Sequence, residues 1–156
     1  MNQLSEQKQI ELDSRYNRTV LVYWAQVATT AILTLIAWFI AGRTEASAPQ
    51  TLPNVLWIVL LVIAIGAFLL RRVMFNSEVL RDTATIKGAS GVIKNLQFKT
   101  ILISALAETI TLIGFVISLM TGDKYDMLRA AAVALIIFFI SFPRKKGWQV
   151  LAQAAR

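Results

Sequence analysis

Cysteine and histidine are both absent from this 156-residue chain. Their absence excludes disulfides, thiolate chemistry, thiolate or imidazole metal sites, haem ligation and histidine acid-base catalysis. Charge is scarce too, at 16% of residues, and acidic side chains are the scarcer kind, 9 against 16 Lys and Arg. No carboxylate or lysine constellation stands where it could act on a substrate. The chain therefore reads as no enzyme, with no catalytic residues, no metal site and no cofactor. Proline occurs only 3 times, which leaves long stretches free to run as uninterrupted helix.

What the chain has in abundance is apolar: 56% of residues are hydrophobic and the mean hydropathy is +0.60. A soluble domain of this length would expose too much of that surface, whereas a bilayer asks for runs of roughly 20 apolar residues per helical span. Four runs qualify, at 19–41, 54–70, 100–120 and 127–142. The expected fold class is all-α: an integral membrane four-helix bundle forming a single domain over 1–156.

The first run carries Tyr23, Trp24 and Trp38 towards its ends, where interfacial aromatics belong, and Gly42 closes it. Pro49 and Pro53 punctuate the short loop that follows, the second placed to open the next helix. The second run offers Ala64, Gly66 and Ala67 for close helix packing. Residues 1–17 are polar and of mixed charge, without a small-residue cleavage site, so they read as a short surface helix and not as a signal peptide. The polar stretch 71–99 reads as a loop holding two short interfacial helices around Gly88-Ala89-Ser90-Gly91. In the tail, Trp148, Val150 and Leu151 are expected to rest on the membrane surface.

The net charge of +7 does not point to nucleic acid, because the basic residues gather at the ends of the apolar runs and not on one amphipathic face. They act as topology signals. The N-terminal segment, the 71–99 stretch and the tail hold three, six and four of them, and the other side only Arg43, Lys124 and Arg129. The positive-inside rule then places both termini and the 71–99 loop in the cytoplasm. The expected location is the bacterial inner (plasma) membrane, multi-pass. The expected partners are the lipid bilayer and either further copies of the chain or another membrane protein.

One residue breaks the pattern. In "ISALAETITLIGFVISL", residues 103–119, Glu108 is the only charged side chain. It lies nine residues beyond Lys99, hence ~13 Å into a hydrocarbon core ~30 Å thick. An ionised carboxylate there costs at least ~2.5 kcal/mol, so Glu108 is expected to be protonated, paired or in contact with water. Ser104, Ala107, Thr111, Gly114 and Ser118 recur at helical spacing as a small-residue seam, with Glu108 on its flank. Gln26, eight residues beyond Arg18 on a span running the same way, sits ~12 Å deep and therefore level with Glu108. Thr30 and Thr34 extend Gln26 at i+4 spacing into a polar stripe. Arg129 lies near the opposite surface and is expected to pair there with Asp126 at i−3.

Two readings of Glu108 stay open. In one, a neutral carboxyl joins helices through Gln26, Ser104 or Thr111, with hydrogen bonds worth ~0.6–2 kcal/mol each in a membrane. In the other, Glu108 is a proton- or ion-binding residue that is loaded and unloaded.

The run Ala105-Leu106-Ala107-Glu108, followed by Gly114-Phe115-Val116, resembles the carboxylate-bearing helix of the proteolipid, or c, subunit of rotary ATP synthases, over about twenty residues. That resemblance implies a proton- or sodium-binding role for Glu108 alone. The preceding span has a lone Gly66 in place of the family's glycine repeat, the loop lacks its Arg-Gln/Asn-Pro turn, and Ile113 replaces its tyrosine. As a whole, the pattern looks more like uncharacterised small four-span bacterial membrane proteins. Small multidrug antiporters carry their membrane glutamate in the first helix, where this chain has Gln26.

Overall fold

The computed structural model describes residues 6–43, 49, 51–74, 77–143 and 145, with the side chains of 6–8, 77–90 and 92 left aside. The described residues form four α-helices, α1 (Glu6–Ile40), α2 (Thr51–Met74), α3 (Ser77–Thr121) and α4 (Lys124–Ser141), with a 3-10 turn at Ala41–Arg43. The all-α expectation holds. Three helices are long and apolar enough to cross a membrane, within Gln9–Arg43, Thr51–Met74 and Ile93–Thr121. In α4, 18 residues long, Lys124, Asp126 and Arg129 put three charges into the first two turns.

Two sequence expectations need correction. No separate surface helix precedes the first apolar run, because α1 continues without interruption from Glu6. Its polar first turns contain no proline or glycine, so nothing stops propagation once the apolar part is helical. The 71–99 stretch is likewise not a loop, since α2 reaches Met74 and α3 is helical from Ser77 through Gly91 into the apolar run. The expected placement of Trp148, Val150 and Leu151 lies outside the described residues.

α3 cannot be straight. Lys99 Nζ donates to the Met74 carbonyl at 2.6 Å, and the three-residue step from Met74 to Ser77 spans at most ~11 Å. With the reach of a lysine side chain added, Ser77 and Lys99 lie within ~22 Å of each other, whereas a straight helix would hold them ~33 Å apart. The helix therefore bends between them. Gly88-Ala89-Ser90-Gly91, midway along that interval, is the local sequence that yields most easily. The glycine break expected from sequence does not interrupt α3, which is helical throughout.

Contacts fix the directions. Arg15 Nη1 donates to Gln97 Oε1 at 3.2 Å and Thr30 shares a 3.1 Å hydroxyl bond with Thr111, so α1 and α3 run parallel at a constant offset. Tyr16 and Tyr23 donate their hydroxyls to the carbonyls of Pro143 and Phe138, at 3.2 and 2.6 Å, which makes α1 and α4 antiparallel. Among the described residues α3 packs on all three other helices, and no extensive contact joins α1 to α2. α4 contacts all three other helices as well, so α3 and α4 form the central pair. Tyr23 is only 4% exposed, in edge contact with Phe138.

The seam seen in the sequence is the contact surface. Ser104, Ala107, Thr111, Gly114 and Ser118 are all buried, as are Ala130 and Ala134 on α4. A methyl group on Gly114 would overlap that of Ala130, so the absence of a Cβ sets how closely α3 and α4 approach. Gly66, by contrast, has nothing within 4 Å of a would-be Cβ, and of the small residues on α2 it is Ala67 that is buried. Gly122 supplies the left-handed residue of the α3–α4 turn at φ 69°, with its N–H donating to the Ser118 carbonyl at 3.0 Å. Asp123 then caps α4 by accepting from Tyr125 N–H at 2.9 Å.

Candidate functional site

Two residues singled out in the sequence come to one level of the α1–α3 contact. The Arg15–Gln97 and Thr30–Thr111 bonds set offsets of 82 and 81 residues between the helices, and the same offset brings Gln26 level with Glu108. The shared level of Gln26 and Glu108 expected from sequence agrees with the register of the structure. Glu108 is partly buried, on the flank of the seam, and not enclosed within it.

The expected hydrogen bonds to Glu108 are not formed. Ser104 Oγ donates back to the Ile101 carbonyl at 3.0 Å, and the Thr111 hydroxyl is shared between the Ala107 carbonyl at 3.3 Å and Thr30 at 3.1 Å. Thr30 lies 3.2 Å from the Gln26 carbonyl and Thr34 donates to the Thr30 carbonyl at 2.8 Å. In an apolar environment a hydroxyl finds its nearest acceptor one turn back on its own helix, and that local bond leaves no hydroxyl for the carboxyl. Among the described residues, no hydrogen bond or ion pair reaches Glu108.

Gln26 supplies the complementary vacancy. Its Oε1 is buried and has no hydrogen-bond donor, which is costly in a low-dielectric contact. A protonated carboxyl is a donor, and a turned-over amide would offer its NH2 to a carboxylate. The pair is therefore chemically matched in either protonation state. Among the described residues, no three metal-ligating side chains come together.

The structure also places polar groups that the sequence did not single out. Lys99 is 4% exposed and satisfies the carbonyl of Met74, in the last turn of α2, where a cation also meets the negative end of the helix dipole. Its position at the edge of an apolar run had marked it only as a topology charge. Asp126 is buried and accepts from Thr121 at 2.9 Å and from Arg129 at 2.9 Å. The Asp126–Arg129 pair was legible from i,i+3 spacing; the Thr121 contact depends on the turn. Lys124 lies over the Trp38 ring, 4.2 Å from its centroid, and so joins α4 to the far end of α1.

Clefts accompany the helix contacts among the described residues. One, of about 520 Å³, is apolar and lies between α1 and α4, lined by Tyr23, Trp24, Leu135, Phe138 and Phe142 among others. Another, of about 450 Å³, is polar and lies against Gln97 near the start of α1. No family model, curated protein or solved structure matches the chain.

Proposed function

We propose that the chain is a four-span protein of the bacterial inner membrane, both termini cytoplasmic, with an accessory or structural role. In this reading Glu108 is an uncharged packing residue facing Gln26 across the α1–α3 contact. The observation that carries it is the inverted distribution of side chains. Val55, Ile58, Val62 and Ile65 of α2 are 55–63% exposed, whereas Ser104, Thr111, Gly114 and Ala130 make the helix contacts. Water would penalise that arrangement; hydrocarbon favours it, because close backbone approach and interhelical hydrogen bonds hold helices together there.

α4 completes the count of four. Its 18 residues span ~27 Å, close to the hydrocarbon thickness of ~30 Å. Its charges are accommodated at one end, where Asp126 pairs with Arg129 and Lys124 lies over Trp38. Thirteen of the sixteen basic residues then fall on one side, which supports cytoplasmic termini.

The topology is tested by single cysteines at exposed positions. Asn17, Arg72 and Lys145 replaced by Cys should react with an impermeant maleimide from the cytoplasmic side, and Gly42 and Tyr125 from the other. Any departure from that alternation removes a span. A second reading, that Glu108 handles a proton or cation, draws support from its partly open position beside the unpartnered Gln26 Oε1. Purified protein in liposomes decides between them. The packing reading expects no proton or sodium flux above protein-free vesicles, and normal insertion of Glu108→Gln. A wild-type flux abolished by Glu108→Gln overturns it.

A further inference from the structure

We propose that the polar cleft beside Gln97 binds the phosphate headgroup of an anionic phospholipid of the cytoplasmic leaflet. The inference rests on the membrane reading above and adds a ligand to it.

The cleft of about 450 Å³ is lined by Ile10, Glu11, Ser14, Arg15, Arg18 and Gln97. Its two arginines are in different states. Arg15 is committed: its Nε donates to Glu11 at 3.0 Å and its Nη1 to Gln97 at 3.2 Å, so its charge is largely neutralised and its guanidinium is fixed. Arg18 is exposed, and among the described residues no carboxylate pairs with it. Ser14 stands one turn before Arg18 on the same face. The cleft thus holds one uncommitted positive charge, a hydroxyl donor and a second guanidinium held rigid against α3.

Depth selects the ligand. Arg18 directly precedes the apolar run that begins at Thr19, so the cleft opens at the level of lipid headgroups. Lys94, exposed one turn before Gln97 on α3, adds positive charge beside it. A phosphodiester carries one negative charge and acceptor oxygens only, which complements a guanidinium and a hydroxyl. Basic clefts between helices on the cytoplasmic side have the chemistry that holds anionic headgroups.

The test is native mass spectrometry of the full chain released from detergent, titrated with phosphatidylglycerol or phosphatidylcholine of matched acyl chains. Phosphatidylglycerol should be retained in preference, and Arg18→Gln should weaken its retention about fivefold, with Arg43→Gln at the other end of α1 leaving it unchanged. Ser14→Phe, which removes the hydroxyl and narrows the cleft without changing charge, should weaken it as well. Equal retention of the two lipids, or equal losses with Arg18→Gln and Arg43→Gln, overturns the proposal. Displacement of phosphatidylglycerol by inorganic phosphate at comparable concentration also overturns it, by making free phosphate the ligand. Failure here would leave the protein in the bilayer, whereas failure of the membrane reading would show as incorrect cysteine labelling.

Discussion

Gly114→Ala is the sharpest perturbation of the α3–α4 contact. The new methyl would overlap that of Ala130, closer than the ~3.5–4.0 Å at which carbon atoms settle, while its 3.6 Å approach to Ala130 Cα is ordinary contact. Both positions are in helix and both are buried, so relief requires the helices to part. Overpacking of this kind costs ~1–3 kcal/mol. Replacing glycine by alanine in a helix returns ~0.8–1 kcal/mol through backbone entropy, and Gly66→Ala measures that gain alone, since nothing lies within 4 Å of its Cβ position. The quantity to read is therefore the difference between the two variants, expected at ~1–3 kcal/mol in favour of Gly66→Ala. Denaturant titration in detergent micelles followed by far-UV circular dichroism gives both values. Adding Ala130→Gly to Gly114→Ala moves the methyl from one helix to the other and should recover most of the loss. Equal shifts for Gly66→Ala and Gly114→Ala would refute the close approach of α3 and α4.

Lys99→Met keeps the side chain's length and removes its donor, leaving the Met74 carbonyl without its 2.6 Å partner; a loss of ~1–3 kcal/mol is expected in the same titration, and an unchanged midpoint would mean that the bond adds nothing. Thr30→Val and Thr111→Val should couple in a double-mutant cycle by ~0.6 kcal/mol through their shared hydroxyl bond, and strict additivity would dissolve that contact. Tyr23→Phe, which deletes the 2.6 Å donation to the Phe138 carbonyl, should cost ~0.5–1.5 kcal/mol without altering cysteine labelling.

Apolar length is a property of composition along the chain, and so the helical class and the apolar parts of the three longest helices were legible in the sequence, but not the extension of α1 back to Glu6 or of α3 back to Ser77, where polar residues simply continue the helix. So was the seam from Ser104 to Ser118, because a 3.6-residue period survives whatever the seam packs against. The Asp126–Arg129 pair is local to one helix turn and was legible for the same reason. Glu108 and Gln26 were placed at one level by counting residues from the nearest basic side chain, and the α1–α3 register agrees with that count.

Only the tertiary structure decided where each side chain spends its hydrogen bonds. The hydroxyls of Ser104, Thr30 and Thr111 bond to their own helices, and those of Thr30 and Thr111 to each other, so that among the described residues Gln26 Oε1 has no donor and Glu108 no partner. Lys99 became a buried cap for α2 because α3 bends back towards Met74, a consequence of chain path that no residue pattern encodes. Gly66 and Gly114 look alike in sequence and differ only in whether a second helix lies against them. Periodicity sets which face of a helix is buried; what that face meets depends on residues far along the chain, and there the sequence by itself stops.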